Sequence, residues 1–473
     1  MHSPSMPPFK PRAIAAALLC VAALAGCASQ QSLINADGKD AATVFAADKP
    51  PSLQPFYRQL YRDGEWNATL NFNMLGLAAM QEGQFAIARK ALDQAIARID
   101  QIYADDPSAK KALSVFSEEK VKDFKGEPYE RAMTYYYRGL LYLQEGDYQN
   151  ARASFLAADL QGTMAEKETF AGDFGLMKYL AGWSSTCSGD ASRGKALIEE
   201  AKRSDSKIAG LPDKPGSAML LIDSGLAPQK KGVGEYKEMM AFEPGGPPDG
   251  DIIVRGSEGS LEIKEFVVGG DVYVQASTRG GRQIDAVLDG KAKFKGDSNV
   301  AGDVAIGVGT AMMSNSYNNS NMGMAGAIVG LLGLVAKGVS AATTPAADVR
   351  AWTSLPANVM LFTADVQPKS PITLASATSA AAVLPIQASQ NGCWIGWGRT
   401  RSALAATDGG TAKFSDGKVE TSNREEKNKA FRVALTTDFA PSPVAANVPS
   451  AVTSLQPALI PVVAKKETAS AAK

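Results

Sequence analysis

The first half of the chain alternates apolar and polar residues at helical spacing, and this pattern repeats after 63 residues. Segment 75–85 aligns with segment 138–148, and Ala88 and Ala151 continue the same register. Small residues fall where two helices must approach closely, and a glycine falls at the turn of each copy. The pattern predicts successive helix pairs, with a weaker third copy at Gly182, Gly189, Gly194, Ile198 and Ala201.

The spacing of these small residues resembles the tetratricopeptide repeat, through Gly76, Gly83 and Ala88 and their counterparts Gly139, Gly146 and Ala151. The copies are not 34 residues apart, and the proline that ends the repeat is absent, with Asp100 in its place. The resemblance implies an α-helical solenoid over residues 53–213, whose concave face would hold a peptide or protein partner. The alternative is an ordinary helical bundle with small residues at its crossings.

Near Lys214 the helical period ends, and the apolar segments become short and alternating. Four segments between residues 251 and 288, including Val272–Ala276, have the composition of strands. Asp289-Gly290 and Asp416-Gly417 are hairpin signals. Residues 214–438 are therefore predicted to form a mainly β domain, a sandwich or small barrel, which makes the chain an α+β multidomain protein.

A glycine-rich apolar insert without charge, residues 304–336, interrupts the predicted β domain. Two apolar pieces flank a polar hinge at 314–321, and each is shorter than the ~20 residues that cross a bilayer. A buried or surface-packed hairpin is therefore favoured over membrane insertion. Residues 439–473, rich in Pro, Ala, Val, Ser and Thr, are predicted to be a disordered tail.

The N-terminus has the features of an export signal. Two basic residues precede a short apolar run that ends in Leu24-Ala25-Gly26-Cys27, which resembles the lipobox of bacterial lipoproteins. The resemblance implies that the signal peptide, residues 1–26, is removed and that Cys27 carries a covalent lipid. Ala28, where an aspartate often marks inner-membrane retention, favours the periplasmic face of the outer membrane. Residues 27–52 are then predicted to be a flexible tether.

The composition limits the catalytic and metal-binding centres that the chain can form. The chain has 49 basic and 49 acidic residues and a single histidine, His2, which the signal peptide removes. A mature chain without histidine cannot use a Ser-His-Asp or Cys-His centre or a histidine-ligated zinc. The balanced charge argues against nucleic acid as a partner. Catalysis by carboxylates, lysine or tyrosine remains open.

No catalytic motif stands out. Ser-x-x-Lys recurs too freely to be selective, and its companion elements are absent. We therefore predict no enzymatic activity, no catalytic residue, no metal site and no cofactor other than the lipid on Cys27. Cys187 and Cys393 have no metal-ligand spacing, and they either pair in an oxidising periplasm or are two buried free thiols.

Two segments carry candidate binding or structural residues. Tyr135, Tyr136 and Arg138 lie in the densest aromatic cluster, some of which should face outward, and are candidates for binding a partner. For each tyrosine taken singly, packing in the core is the favoured alternative. Asp348 and Arg350 are two residues apart and could pair on one face of a strand, beside Trp352. An ion pair that covers a packed tryptophan is favoured there over an open binding site.

The order of lipobox, divergent helical repeats and the segment Asp348 to Trp352 resembles a family of poorly characterised Gram-negative lipoproteins. The family has no established enzymatic activity, and its members tend to be associated with cell-envelope lipoproteins, including activators of peptidoglycan synthases. The resemblance implies a scaffold that binds a periplasmic or outer-membrane protein through the helical repeats. The alternatives are a peptidoglycan-binding or cleaving module in the β half and an accessory lipoprotein of a secretion or pore system.

Overall fold

The computed structural model describes residues 40–104, 123–124, 126–163, 174–205, 208–234, 237, 239–259, 261–278, 347–404 and 421–440. Several predicted features lie outside these residues: the signal peptide with Cys27, the two Asp-Gly hairpin signals and the insert 304–336. The helices occupy the first half of the chain, except for two that come later. They are α1 (Ala41–Ala46), α2 (Gln54–Asp63), α3 (Ala68–Gln81), α4 (Phe85–Ala104), α5 (Pro128–Glu145), α6 (Tyr148–Thr163), α7 (Gly175–Cys187), α8 (Ala191–Ser204), α9 (Val272–Thr278) and α10 (Thr421–Asp438).

The predicted helix pairs are present as α3–α4, α5–α6 and α7–α8. One glycine marks the same crossing in each pair, because a side chain there would collide with the opposite helix. A Cβ atom would lie 2.8 Å from Leu92 at Gly76, 2.6 Å from Phe155 at Gly139 and 2.6 Å from Ile198 at Gly182. The turns use Gly83 and Gly146, with φ of 68° and 76°, and Ala88 and Ala151 are fully buried.

The strands of the second half form two sheets and a hairpin. The strands are β1 (Ala218–Ser224), β2 (Gln229–Val233), β3 (Met239–Glu243), β4 (Ile252–Arg255), β5 (Glu262–Ile263), β6 (Val267–Asp271), β7 (Asn358–Ala364), β8 (Thr373–Ser376), β9 (Ser379–Val383), β10 (Ile386–Gln390) and β11 (Cys393–Arg399). Sheet A has the order β10-β11-β1-β7-β6, in which β1 and β11 are parallel and the other neighbours antiparallel. Sheet B has the order β5-β4-β8-β9, and among the described strands β2 pairs with β3.

Sheet A is the middle layer of the molecule, and β1 is buried along its whole length. Met219 and Leu221 on one face of β1 join the core formed with the helices. Leu220 and Ile222 on the other face pack into a second core with residues of sheet B. The two halves of the chain thus form helices and mixed sheets in the predicted order, but the helices and sheet A share one hydrophobic core.

The first helix of each pair forms an inner layer against the sheet and α10. Most residues of α3, α5 and α7 are buried, whereas α4, α6 and α8 are exposed along one side. Such continuous burial requires apolar partners on both sides of the inner helices.

Three sequence predictions are wrong at their boundaries. The predicted tether extends to residue 52, but α1 packs into the fold from Ala41, with Ala42 and Ala46 fully buried. The predicted tail begins at Phe439, but this side chain is 7 % exposed and packs on Phe72. Residues 421–438, assigned to the β domain, form α10 and contact the N-terminal helices.

The predicted strand at Val272–Ala276 is also wrong, because these residues belong to α9. Asp271 accepts a hydrogen bond from the backbone nitrogen of Val274 at 2.8 Å, which is the contact of an N-terminal helix cap. This cap outweighs the strand preference of the two valines that follow it.

Candidate functional site at the helix–sheet interface

The three residues proposed to bind a partner lie inside the molecule. Tyr135 and Arg138 are each 7 % exposed, and Tyr136 is fully buried. The Tyr135 hydroxyl donates to Asp100 Oδ1 at 2.5 Å. The prediction of an exposed binding surface at these residues is therefore wrong, because α5 belongs to the inner helical layer.

Arg138 makes an ion pair and a cation–π contact within the helical layer. Its Nε donates to Asp93 Oδ1 at 2.7 Å, and its guanidinium lies 3.7 Å from the centre of the Tyr142 ring. Asp93 lies on α4 and Arg138 on α5, so the ion pair links consecutive helix pairs. The contact stabilises the helical layer and leaves little of Arg138 accessible to another molecule.

Asp223 is the centre of a polar cluster between α5 and sheet A. Its carboxylate accepts from the Tyr137 hydroxyl at 2.7 Å, from the Tyr136 hydroxyl at 3.5 Å and from Arg399 Nη1 at 3.0 Å. Burial raises the pKa of Asp223, although the positive charge of Arg399 partly opposes this shift. Burial, reinforced by the charge of Asp223, also raises the pKa of both tyrosines well above 10.

A second cluster joins α5 to β2. Lys230 and Glu130 side chains are each 1 % exposed, and Lys230 Nζ donates to Glu130 Oε2 at 2.8 Å. Glu130 also accepts from the backbone nitrogens of Glu127 and Trp352, at 2.7 and 2.8 Å. Lys230 donates as well to the Arg350 carbonyl at 2.8 Å. These hydrogen bonds compensate the burial of both charges.

The segment 347–357 runs between the helices and the sheets, and it contains the predicted Asp348–Arg350 pair. Arg350 donates through Nε and Nη2 to the two oxygens of Asp348, at 2.8 and 2.7 Å. The pair forms in irregular backbone rather than in a strand. The guanidinium also lies 4.6 Å from the centre of the Trp66 ring and donates to Asn67 Oδ1 at 3.0 Å.

Trp352 is 1 % exposed and packs against Tyr137, with 5.6 Å between ring centroids. Its indole nitrogen donates to Ser354 Oγ at 2.9 Å. The Ser354 carbonyl in turn accepts from Arg399 Nη2 at 2.5 Å. The segment 347–357 therefore contacts both polar clusters. The Arg350 carbonyl and the Trp352 nitrogen bond to Lys230 and Glu130, and the Ser354 carbonyl bonds to Arg399.

Asp249 is the common acceptor of a third polar cluster, which lies beside the carboxyl ends of the parallel strands β1 and β11. It accepts from the Gly225 nitrogen at 2.6 Å, from Arg401 Nε at 2.5 Å and from the Thr400 hydroxyl. Burial pushes the pKa of Asp249 upward, but hydrogen bonds from Thr400, Gly225 and Arg401 outweigh it and leave the pKa below 3.8.

A disulfide between Cys187 and Cys393 crosses the same interface. It joins the last residue of α7 to the first residue of β11, which are 206 positions apart in the chain. Of the two alternatives left open by the sequence, the structure contains the bonded pair. The bond fastens the helical layer directly to sheet A.

The three clusters hold elements in place, because each carboxylate is engaged by several donors of the protein itself. Across the described ranges, no three metal-ligating side chains converge on a common point. Within the same residues, no helix combines the length and apolarity needed to span a membrane.

Five residues of these clusters were not predicted from the sequence: Asp223, Lys230, Glu130, Arg399 and Asp249. A signal existed for Asp223, which is the one charged residue of strand β1 and follows five apolar residues. A lone charge in a buried strand requires a partner, but the sequence does not say that Arg399 supplies it. The chain matches no protein-family model, no curated protein and no solved structure.

Proposed function

We propose that this protein is a non-enzymatic scaffold, anchored by a lipid on Cys27 to the periplasmic face of the outer membrane, which binds a protein partner in cell-envelope assembly or maintenance. The observation that carries the proposal is the lipobox-like segment Leu24-Ala25-Gly26-Cys27 before a body that is fastened by a disulfide. Disulfides persist in oxidising compartments such as the periplasm.

The length of the tether supports close association with the membrane. Asp40, the first residue that the structure describes, lies 13 residues after Cys27 in the sequence. At ~3.5 Å per residue, Asp40 would lie no more than about 45 Å from the lipid. The body would therefore stand near the membrane surface.

Three consecutive helix pairs with small residues at equivalent crossings support a divergent tetratricopeptide-like arrangement. In this chain the inner helices are covered by sheet A and α10, so a partner would bind a different surface from the one that Tyr135 and Tyr136 suggested. The alternative of a self-contained cell-wall module in the β half has less support, because the helices cover one face of sheet A.

The anchoring part of the proposal is tested by the variant Cys27→Ala. We expect the wild-type protein to incorporate labelled palmitate and to sediment with the outer membrane, and the variant to do neither. A Ser29→Ala variant, which leaves the lipobox intact, should behave as the wild type. Wild-type protein that carries no acyl chain would refute the anchor.

The scaffold part is tested by crosslinking in membranes, followed by purification of the protein. A reproducible protein partner is expected from wild-type cells, together with no release of fragments from purified peptidoglycan. Recovery of no partner despite intact anchoring would refute the scaffold, and fragment release would assign the protein to cell-wall cleavage instead.

A further inference from the structure

The C-terminal helix α10 contacts the N-terminal helices through one narrow apolar edge. Phe431, Leu435 and Phe439 are spaced by four residues and are 6, 2 and 7 % exposed. Lys429 and Val433, which lie on the other side of the helix, are exposed. An amphipathic helix with anchors at i, i+4 and i+8 has the form of a ligand in a helix-binding groove.

Helices α2, α3 and α4 line this groove. The Phe72 ring of α3 lies 6.0 Å from the Phe431 ring and 6.1 Å from the Phe439 ring. From α2, Tyr57 packs edge-on against Phe439 at 5.6 Å. From α4, the Arg98 guanidinium lies 5.4 Å from the centre of the Phe431 ring. The groove thus provides aromatic surface and positive charge for aromatic anchors.

Polar contacts fix the direction of α10 in the groove. In the middle of the helix, Asn428 Oδ1 accepts from the Glu65 nitrogen at 3.0 Å. One turn further, Arg432 Nε donates to the Tyr61 carbonyl at 2.9 Å. At the far end, Lys49 Nζ donates to the Phe439 carbonyl at 2.6 Å. Two of these three contacts involve backbone groups of the groove, so they can be made by any helix with a matching side chain.

We propose that the α2–α3–α4 groove is a binding site for an amphipathic helix of a protein partner, and that α10 occupies it as an internal ligand. The partner helix would present aromatic, leucine and aromatic side chains at i, i+4 and i+8, with an arginine directly after the leading aromatic. This inference rests on the proposed scaffold function and names the class of partner segment that one surface accepts. Binding would release α10, because the two helices compete for the same groove.

Competition gives a direct test in the full-length protein. A fluorescent peptide of residues 421–440 is titrated against wild type and against Phe431→Ala/Leu435→Ala, whose internal helix has lost two anchors. The peptide should bind the double variant at least tenfold more tightly, because the internal competitor is weakened. Val433→Ala, a change at an exposed position of the same helix, should bind the peptide as the wild type does. A peptide that carries Phe431→Ala should lose binding to the double variant.

Four results would overturn the proposal. Equal binding of the peptide to wild type and double variant would show that α10 does not compete with it. Absence of binding to both proteins would show that the groove accepts no helix in trans. Loss of the folded state in the double variant, measured by circular dichroism, would show that α10 is an integral part of the core. A wild-type dimer that the peptide dissociates would assign the groove to a second copy of the chain. None of these results depends on the lipid anchor, and the crosslinking experiment remains a separate test of the scaffold.

Discussion

Lys230 and Lys231 are neighbours in β2, yet their environments are opposite. The Lys230 side chain is 1 % exposed and paired with buried Glu130, whereas Lys231 is half exposed and pairs with Glu243 on the hairpin surface. A buried charge that loses its partner is left in a medium that solvates it poorly, while an exposed pair is screened by water. Substituting each lysine in turn therefore compares a buried ion pair at the helix–sheet interface with an exposed ion pair on the same strand.

We expect Lys230→Met to lower the free energy of unfolding by about 3–5 kcal/mol, because Glu130 then remains buried without its cation. Lys231→Met should change it by less than about 0.5 kcal/mol. The measurement is urea denaturation of both variants beside the wild type. Similar losses for the two variants would contradict the assigned role of the buried pair.

The pKa of Asp249 predicts a pH dependence. Because its folded-state pKa lies below 3.8, the ionised form contributes stability that is complete above this value and is lost as the pH falls through the folded pKa. We expect Asp249→Asn to unfold more easily than wild type by about 2–4 kcal/mol at pH 7. The difference should shrink below pH 3.8. Denaturation curves between pH 7 and pH 3 measure it.

The exposed neighbour Asp251 is the control for this experiment. Asp251→Asn should follow the wild-type curve at every pH. A difference between Asp249→Asn and wild type that stays constant from pH 7 to pH 3 would show that the Asp249 hydrogen bonds do not depend on its charge.

At the scale of elements, the helix pairs depend on close crossings at glycine. A Cβ at Gly139 would lie 2.6 Å from the ring of Phe155, which is fully buried. At Gly210 a Cβ would meet no atom within 4 Å. The first position is therefore restricted by packing and the second is not.

We expect Gly139→Ala to cost about 1–3 kcal/mol of stability through overpacking, and Gly210→Ala to be nearly neutral. In the Gly139→Ala background, Phe155→Leu should cost less than it does alone, since the smaller side chain relieves the collision. Thermal denaturation of the four variants gives the comparison. Additive losses at positions 139 and 155 would argue against a direct contact.

The sequence predicted the helix pairs because their signals are local. The glycine at each crossing and the helix that it contacts lie within one pair, the 63-residue repeat aligns the first pair with the second, and the structure contains all three pairs. Sheet A could not be predicted in the same way. Its parallel pair aligns Leu221 with Trp397, and no local pattern in either strand specifies a partner so far away in the chain.

Neither the polar clusters nor α10 could be predicted from the sequence, and the reasons are related. Glu130 and Lys230 are 100 residues apart, and each looks like an ordinary surface charge in its own segment. In α10 only every fourth residue is a buried apolar anchor, so its helical period is weak. The proposed binding role of Tyr135 and Arg138 failed because nothing in α5 reveals that sheet A and α4 cover it.

In the part of the chain that the structure describes, the helices, sheet A and sheet B form successive layers. Met219 and Leu221 of sheet A share a core with residues of the helices, and the Cys187–Cys393 bond fastens the same two layers. The bond closes a very long loop, so its largest expected effect is on the entropy of the unfolded chain.

Reduction of this bond should lower the free energy of unfolding by about 2–5 kcal/mol. The same loss is expected for Cys187→Ser/Cys393→Ser, and reductant should have no further effect on that variant. Urea denaturation with and without reductant tests this. A wild-type protein that is equally stable with and without reductant would show that the disulfide does not stabilise the fold.

Through their shared core, the helical layer and sheet A should fold as one cooperative unit. Hydrogen exchange of Cys187→Ser/Cys393→Ser in increasing urea measures this cooperativity, because the covalent link is then absent. We expect amides of α5 and α7 and those of β1 and β11 to open with the same free energy. Helical amides that stay protected at urea concentrations where the strands have already exchanged would contradict it.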